Sequence, residues 1–146
     1  MTTRQLVERM ADVAQLYTQQ AFMRALGIIA IYAGVDDDGK PHLFRVDPAG
    51  YFMGFKACAA GVKENEAMGH LEKALNLTQD VPVTERVDPL LSRDAAIETA
   101  ISAFQETIGS DAKPGDIEVA VVDSSGFKVL TDDQIEAVLN ALSDRD

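Results

Sequence analysis

Two histidines, one cysteine, a triple aspartate and a scatter of glycines are the residues of this chain with the plainest chemical potential. Zinc centres want clustered Cys and His ligands, and neither His42 nor His70 has a partner at metal spacing. Structural or surface roles follow for both. Cys58 lies in a run of small residues and reads as a small buried hydrophobe, because a catalytic thiol needs a nearby base and the sequence offers none. Asp36-Asp37-Asp38-Gly39 has the acidity of a calcium loop but lacks its alternating oxygen ligands and terminal bidentate glutamate. A hairpin turn is the better reading. Gly50, Gly54 and Gly61 match neither the dinucleotide nor the P-loop spacing, so Gly54 is expected to permit close strand packing. No cofactor and no metal are expected.

The elements that would position these residues alternate in blocks. Leu6, Met10, Val13, Ala14 and Tyr17 recur at helical spacing and predict an amphipathic helix ending near Ala21 or Phe22. Gly27 to Val35 is apolar at every alternating position, the pattern of a central strand covered on both faces. Asp36 to Lys40 then turns the chain into a second strand, Pro41 to Val46. Pro48 fixes its own φ, pushes Asp47 toward extended geometry, and is followed by Gly50, which makes Asp47 to Gly50 a tight reversal. A third strand over Tyr51 to Ala60 completes a meander.

Helices follow. Ala67, Met68, Leu71 and Leu75 form one apolar stripe. A polar, proline-marked connection from Thr78 to Leu91 precedes Ser92, an N-cap for a helix whose core face would be Ile97, Ala100, Ile101, Phe104 and Ile108. Gly109 to Gly115 breaks that helix. A strand over Ile117 to Val122 turns at Ser124-Ser125-Gly126 into a short partner, Phe127 to Leu130. Thr131-Asp132-Asp133-Gln134 is a capping-box pattern opening a last helix with Ile135, Val138, Leu139 and Leu142 inward.

Size and composition bound the possibilities. A chain of 146 residues, 47% hydrophobic, is one ordinary domain in length and can bury a sizeable core. Its net charge of −11 argues against binding nucleic acid phosphates. The single cysteine excludes an internal disulfide and fits a reducing compartment. No apolar run approaches the roughly 18–20 residues that span a bilayer, and the N-terminus lacks a signal-peptide core, so a soluble intracellular protein is expected.

Three motifs carry a resemblance. Gln15-Leu16-Tyr17-Thr18-Gln19, Met23-Arg24-Ala25-Leu26-Gly27 and Asp47-Pro48-Ala49-Gly50-Tyr51-Phe52-Met53-Gly54-Phe55-Lys56-Ala57 resemble the Q-x-Y-T-Q, M-R-P-x-G and D-P-A-G-Y-x-x-G-x-K-A patterns of α-type subunits of the 20S proteasome. Ala25 stands where that family usually has proline. The resemblance runs from about Leu6 to Asp146, and Lys113-Pro114, Ile117-Glu118-Val119 and the closing Ala141 to Asp146 narrow it to one branch of the α-type subunits.

The resemblance implies an α+β fold, the four-layer α-β-β-α sandwich of the N-terminal-nucleophile hydrolases, here incomplete. It implies a single α-type domain over residues 1–146, the C-terminal two-thirds of a longer subunit, with the N-terminal strands and first helix missing through truncation. It implies a non-catalytic structural subunit of the outer ring that gates substrate entry in ubiquitin-dependent degradation. Its partners would be neighbouring α subunits, the β ring and regulatory caps, with neither nucleic acid nor membrane, in cytoplasm and nucleus. Tyr17 would help pin the gating tails and Arg24 would support the same loop, while Asp47, Pro48, Gly50 and Gly54 would be structural. The alternatives are a threonine hydrolase with an N-terminal nucleophile and a free interaction domain reusing the fold. For the first, Met1 precedes Thr2 and Thr3, but these lead into a helix, whereas the family's nucleophile begins a strand. An exposed partial sheet would also make the isolated chain self-associate.

Overall fold

The computed structural model describes residues 1–75, 91–109 and 112–144. They form two compact units, one of Met1–Ala60 with Val122–Phe127 and one of Gly61–Val121 with Lys128–Asp146. The Thr78 to Leu91 connection lies almost wholly outside the described residues.

The first unit is a helix on a three-stranded antiparallel sheet. Helix α1 (Thr3–Gln19) begins at a capping box: Gln5 N donates to Thr2 Oγ1 at 3.2 Å, and Thr2 N donates to Gln5 Oε1 at 2.9 Å. Strands β1 (Ala30–Val35), β2 (Pro41–Val46) and β3 (Phe52–Gly54) run in that order as a meander. Val7 and Ala11 of α1 are buried against Val46, with Tyr32, Phe44 and Phe52 packed around them. Phe44 and Phe52 meet edge to face at 6.5 Å, a favoured aromatic geometry. All these sheet residues share one face, because side chains alternate along a strand.

Three expectations for this unit are corrected. Gly27 to Ile29 stay outside β1, since the register pairs Ala30 with Val46 and β2 turns away immediately afterwards at Asp47. Among the described residues, β1 also lies at the end of the strand order. Its apolar second face, which suggested cover on both sides, leaves Ile31 44% exposed. The third strand is likewise confined to three residues, although Phe55 N still donates to Leu43 O at 2.9 Å.

In the second unit, α2 (Glu64–Ala74) buries Leu71, with Leu75 buried just beyond its end, and α3 (Arg93–Ile108) buries Ile101, Ala103 and Thr107. Ser92 caps α3 by accepting from Ala95 N at 3.3 Å, and Gly109 ends it in the left-handed conformation at φ 65°. Lys63 Nζ donates to Thr107 O at 2.7 Å, placing a cation on the carbonyl end of α3. Ala100, Phe104 and Ile108, expected in the core, are exposed. The buried stripe is rotated away from them.

A 3-10 turn (Pro114–Asp116) leads toward strand β4 (Ala120–Asp123), which pairs with β5 (Gly126–Val129). The hairpin is shorter at its start than the Ile117 to Val122 alternation suggested, though Leu130 N still donates to Val119 O at 2.8 Å. Helix α4 (Asp132–Ser143) opens on the expected capping box of Thr131 with Gln134 and buries Ile135. Helices and antiparallel sheets in separate blocks make the class α+β.

Candidate functional site

The Asp47–Gly50 reversal is built by its own side chain and by one absent Cβ. Asp47 Oδ1 accepts from Ala49 N and from Tyr51 N, each at 2.9 Å, and Gly50 N donates to Asp47 O at 3.1 Å. Such aspartate-centred turns leave no backbone donor unsatisfied as the chain reverses. Gly50 sits at φ +86°, and a Cβ there would stand 2.5 Å from the carbonyl oxygen of Ala11. The turn therefore lies directly on the backbone of α1. At Gly54 a Cβ would make an ordinary contact, 3.4 Å from Phe44 Cε1, so close strand packing is not what that position requires.

A second junction went unread in the sequence. Asp36, at the β1–β2 turn, accepts through Oδ1 from Thr3 N at 2.8 Å and Thr3 Oγ1 at 2.6 Å. Its Oδ2 lies 3.5 Å from His42 Nε2. One carboxylate thus ties the positive end of α1 to the hairpin, and Gly34 leaves the space that the Thr3 hydroxyl fills. The only signal was the acidic run itself, which could not say that residue 36 returns to residue 3.

The Thr3 hydroxyl and amide hydrogen bonds hold the Asp36 carboxyl below its ordinary value, with the nearby His42 adding to the effect. A carboxylate made less basic is a poor proton acceptor for activating a threonine, so the corner is a structural tie. Its sign in stability follows directly. A depressed folded-state value stabilises the fold above the unfolded value near 3.9 and loses that contribution as pH falls through the folded one. We expect the urea midpoint to drop between pH 5 and pH 2.5 by more in the wild type than in Asp36→Asn. Equal acid slopes would remove Asp36 from this role.

The remaining candidates are dispersed. Tyr17 is half-buried near the end of α1, while Arg24 is exposed beyond the turn in which Met23 N donates to Gln20 O at 3.3 Å. That turn contains the one non-glycine residue at positive φ among the described residues, Phe22, at 67° and fully exposed. Cys58 is half-buried, and desolvation pushes its thiol up, opposed by the Arg45 charge. That makes it a weaker nucleophile at neutral pH. His70 Nδ1 meets Glu106 Oε2 from α2 to α3, beside a cavity of about 530 Å³ that Lys73, Ser102 and Leu142 also line. Among the described residues no three His, Cys, Asp or Glu side chains converge as a metal site, and no helix is long and apolar enough to cross a membrane.

Helices and antiparallel hairpins joined by tight backbone junctions make this an α+β chain. The family model for the proteasome subunit matches residues 1–122, and the chain belongs to that family. It is similar to the proteasome subunit alpha type-6 of Caenorhabditis elegans, with 42% identity over 97% of this chain and 54% of the relative. It also resembles a probable proteasome subunit alpha type-1 of Schizosaccharomyces pombe at 37% identity (97% of this chain, 54% of the relative) and a proteasome subunit alpha type-2 of C. elegans at 35% (97% and 57%). All three are alpha-type subunits, and type-6 is the branch toward which the C-terminal pattern pointed. The chain spans a little over half the length of these relatives.

Proposed function

We propose that this chain belongs to a non-catalytic subunit of the outer, α-type ring of the 20S proteasome, where it contributes to barrel assembly and to gating of substrate entry. The observation that carries the reading is the identity with alpha-type relatives along 97% of the chain. The N-terminal threonines support it. Thr2 serves as the cap of α1 and Thr3 bonds to Asp36, so neither hydroxyl heads a strand as the nucleophile of an active subunit would. In this reading the DPAG turn and the Asp36 tie hold α1 at a fixed angle on the sheet, while Tyr17 and Arg24 support the loop that follows it.

Neighbouring α subunits, the β ring and regulatory caps are the partners that the reading supplies, in ubiquitin-dependent degradation in cytoplasm and nucleus. Nucleic acid and membrane are not among them. The 146-residue chain alone is proposed to self-associate through its exposed apolar sheet. Affinity purification of the tagged protein from cells that make it tests the assignment. Stoichiometric recovery of α and β subunits is expected, with no peptidase activity in the chain by itself. Recovery free of those subunits, or hydrolysis of a fluorogenic peptide lost on mutating Thr2 or Thr3, would overturn it.

A further inference from the structure

The turn between β1 and β2 contains a peptide bond with a chemistry of its own. Asp38-Gly39 is the only Asp-Gly pair in the sequence, and there is no Asn-Gly. An aspartate carboxyl can be attacked by the amide nitrogen of the residue that follows it, closing a five-membered imide. A side chain on that following residue crowds the ring as it forms, and glycine has none.

The turn presents both reacting groups. Asp38 and Gly39 are exposed, and a Cβ at Gly39 would meet nothing within 4 Å, so the imide has room. Lys40 N donates to Asp38 Oδ1 at 3.0 Å. To accept from a residue two places on, the carboxyl must curl back over the intervening Gly39 peptide, whose nitrogen is the attacking atom. Lys40 Nζ lies 3.7 Å from Oδ2, so the two carboxyl oxygens already have different partners. One contact opposes the attack. Gly39 N donates to Asp36 O at 2.8 Å, and that bond must open before the nitrogen can turn onto Cγ. A single hydrogen bond at an exposed loop tip opens readily.

We propose that Asp38 is a site of spontaneous covalent modification, converting to isoaspartate through a succinimide. In the first step the Gly39 nitrogen bonds to Asp38 Cγ and gives up its proton, and one carboxyl oxygen leaves as water. In the second, water returns to either carbonyl of the imide. Addition at Cγ restores aspartate, and addition at the Asp38 backbone carbonyl gives isoaspartate. The water lost is the water regained, so no co-reactant is needed. Isoaspartate routes the backbone through Cβ and Cγ, which lengthens the turn by one carbon and removes Oδ1 as the acceptor for Lys40 N. The Asp36 N to Lys40 O bond, at 3.3 Å, must then close a longer loop. Asp36 also holds Thr3 at the start of α1, so the change is transmitted to the junction of helix and sheet. The modification is independent of the assembly reading and of its test.

Ageing the 146-residue chain for several weeks at body temperature and neutral pH tests the site. Peptide mass spectrometry with electron-transfer fragmentation distinguishes isoaspartate from aspartate residue by residue. Isoaspartate is expected at residue 38 ahead of every other aspartate, including Asp123, which precedes a serine. Gly39→Ala should slow its appearance at least about tenfold, because the new methyl crowds the closing ring. In the isoaspartate fraction the Thr3 amide should exchange at least about tenfold faster than in the fresh chain, whereas aged Asp38→Glu should match its own fresh sample. Residue 38 left unmodified, or modified no faster than Asp123, would overturn the proposal. An equal rate in Gly39→Ala would overturn the role given to glycine, and unchanged Thr3 exchange would sever the link to α1.

Discussion

Replacing Gly50 with alanine is expected to destabilise the α1–sheet unit by about 2–4 kcal/mol, a large fraction of the stability of a small unit. Two costs add. At φ +86° an L side chain is strained by roughly 1 kcal/mol. The new Cβ would also stand 2.5 Å from Ala11 O and 3.0 Å from both N and Cβ of Gln15. The position of all three atoms is set by the helix backbone, with no rotamer to change, so either α1 lifts from the sheet or the turn opens, and the Val7–Ala11–Val46 core loosens in both cases. Gly39→Ala separates the two contributions. Its φ is +74° but a Cβ there meets nothing within 4 Å, so only the conformational strain of about 1 kcal/mol should appear. Urea denaturation of both variants checks the difference. Equal losses would mean that the turn does not bear on α1.

The local signals were easy to read because each depends on residues close in sequence. The Thr131–Gln134 capping box, the Ser92 cap, the Gly109 stop and the Asp47–Gly50 reversal are four- or five-residue devices, and each appears where its chemistry placed it. What the sequence could not show is which neighbour a surface meets. Ile31 and Ala33 look like core because they are apolar, but burial needs a covering element, and among the described residues none covers that face of β1. The Asp36–Thr3 tie joins residues 33 apart, which no short-range pattern reports. The family itself was legible from the Q-x-Y-T-Q and D-P-A-G-Y motifs. The reason the second is so constrained, Gly50 against the Ala11 carbonyl, is a contact between residues far apart in sequence.

The same distinction between apolar and covered sets the second large effect. Ile135→Ala should cost about 3–4 kcal/mol, and Ile135→Val about 1 kcal/mol, because the side chain is 1% exposed and its removal leaves a cavity. Phe104 is the larger residue and lies at an equally regular helical spacing, yet it is 42% exposed. Truncating it to alanine should cost less than half as much as the isoleucine change, since much of its ring already meets water. Sequence periodicity ranks the two residues as equals, and side-chain size alone ranks phenylalanine first. Burial reverses that order. Urea midpoints of Ile135→Ala and Phe104→Ala, followed by circular dichroism at 222 nm and by amide exchange in α3 and α4, decide it. A loss at Phe104 equal to or greater than that at Ile135 would mean that the Ala100–Phe104–Ile108 stripe of α3 is covered in solution, and that the core is the one that periodicity first indicated.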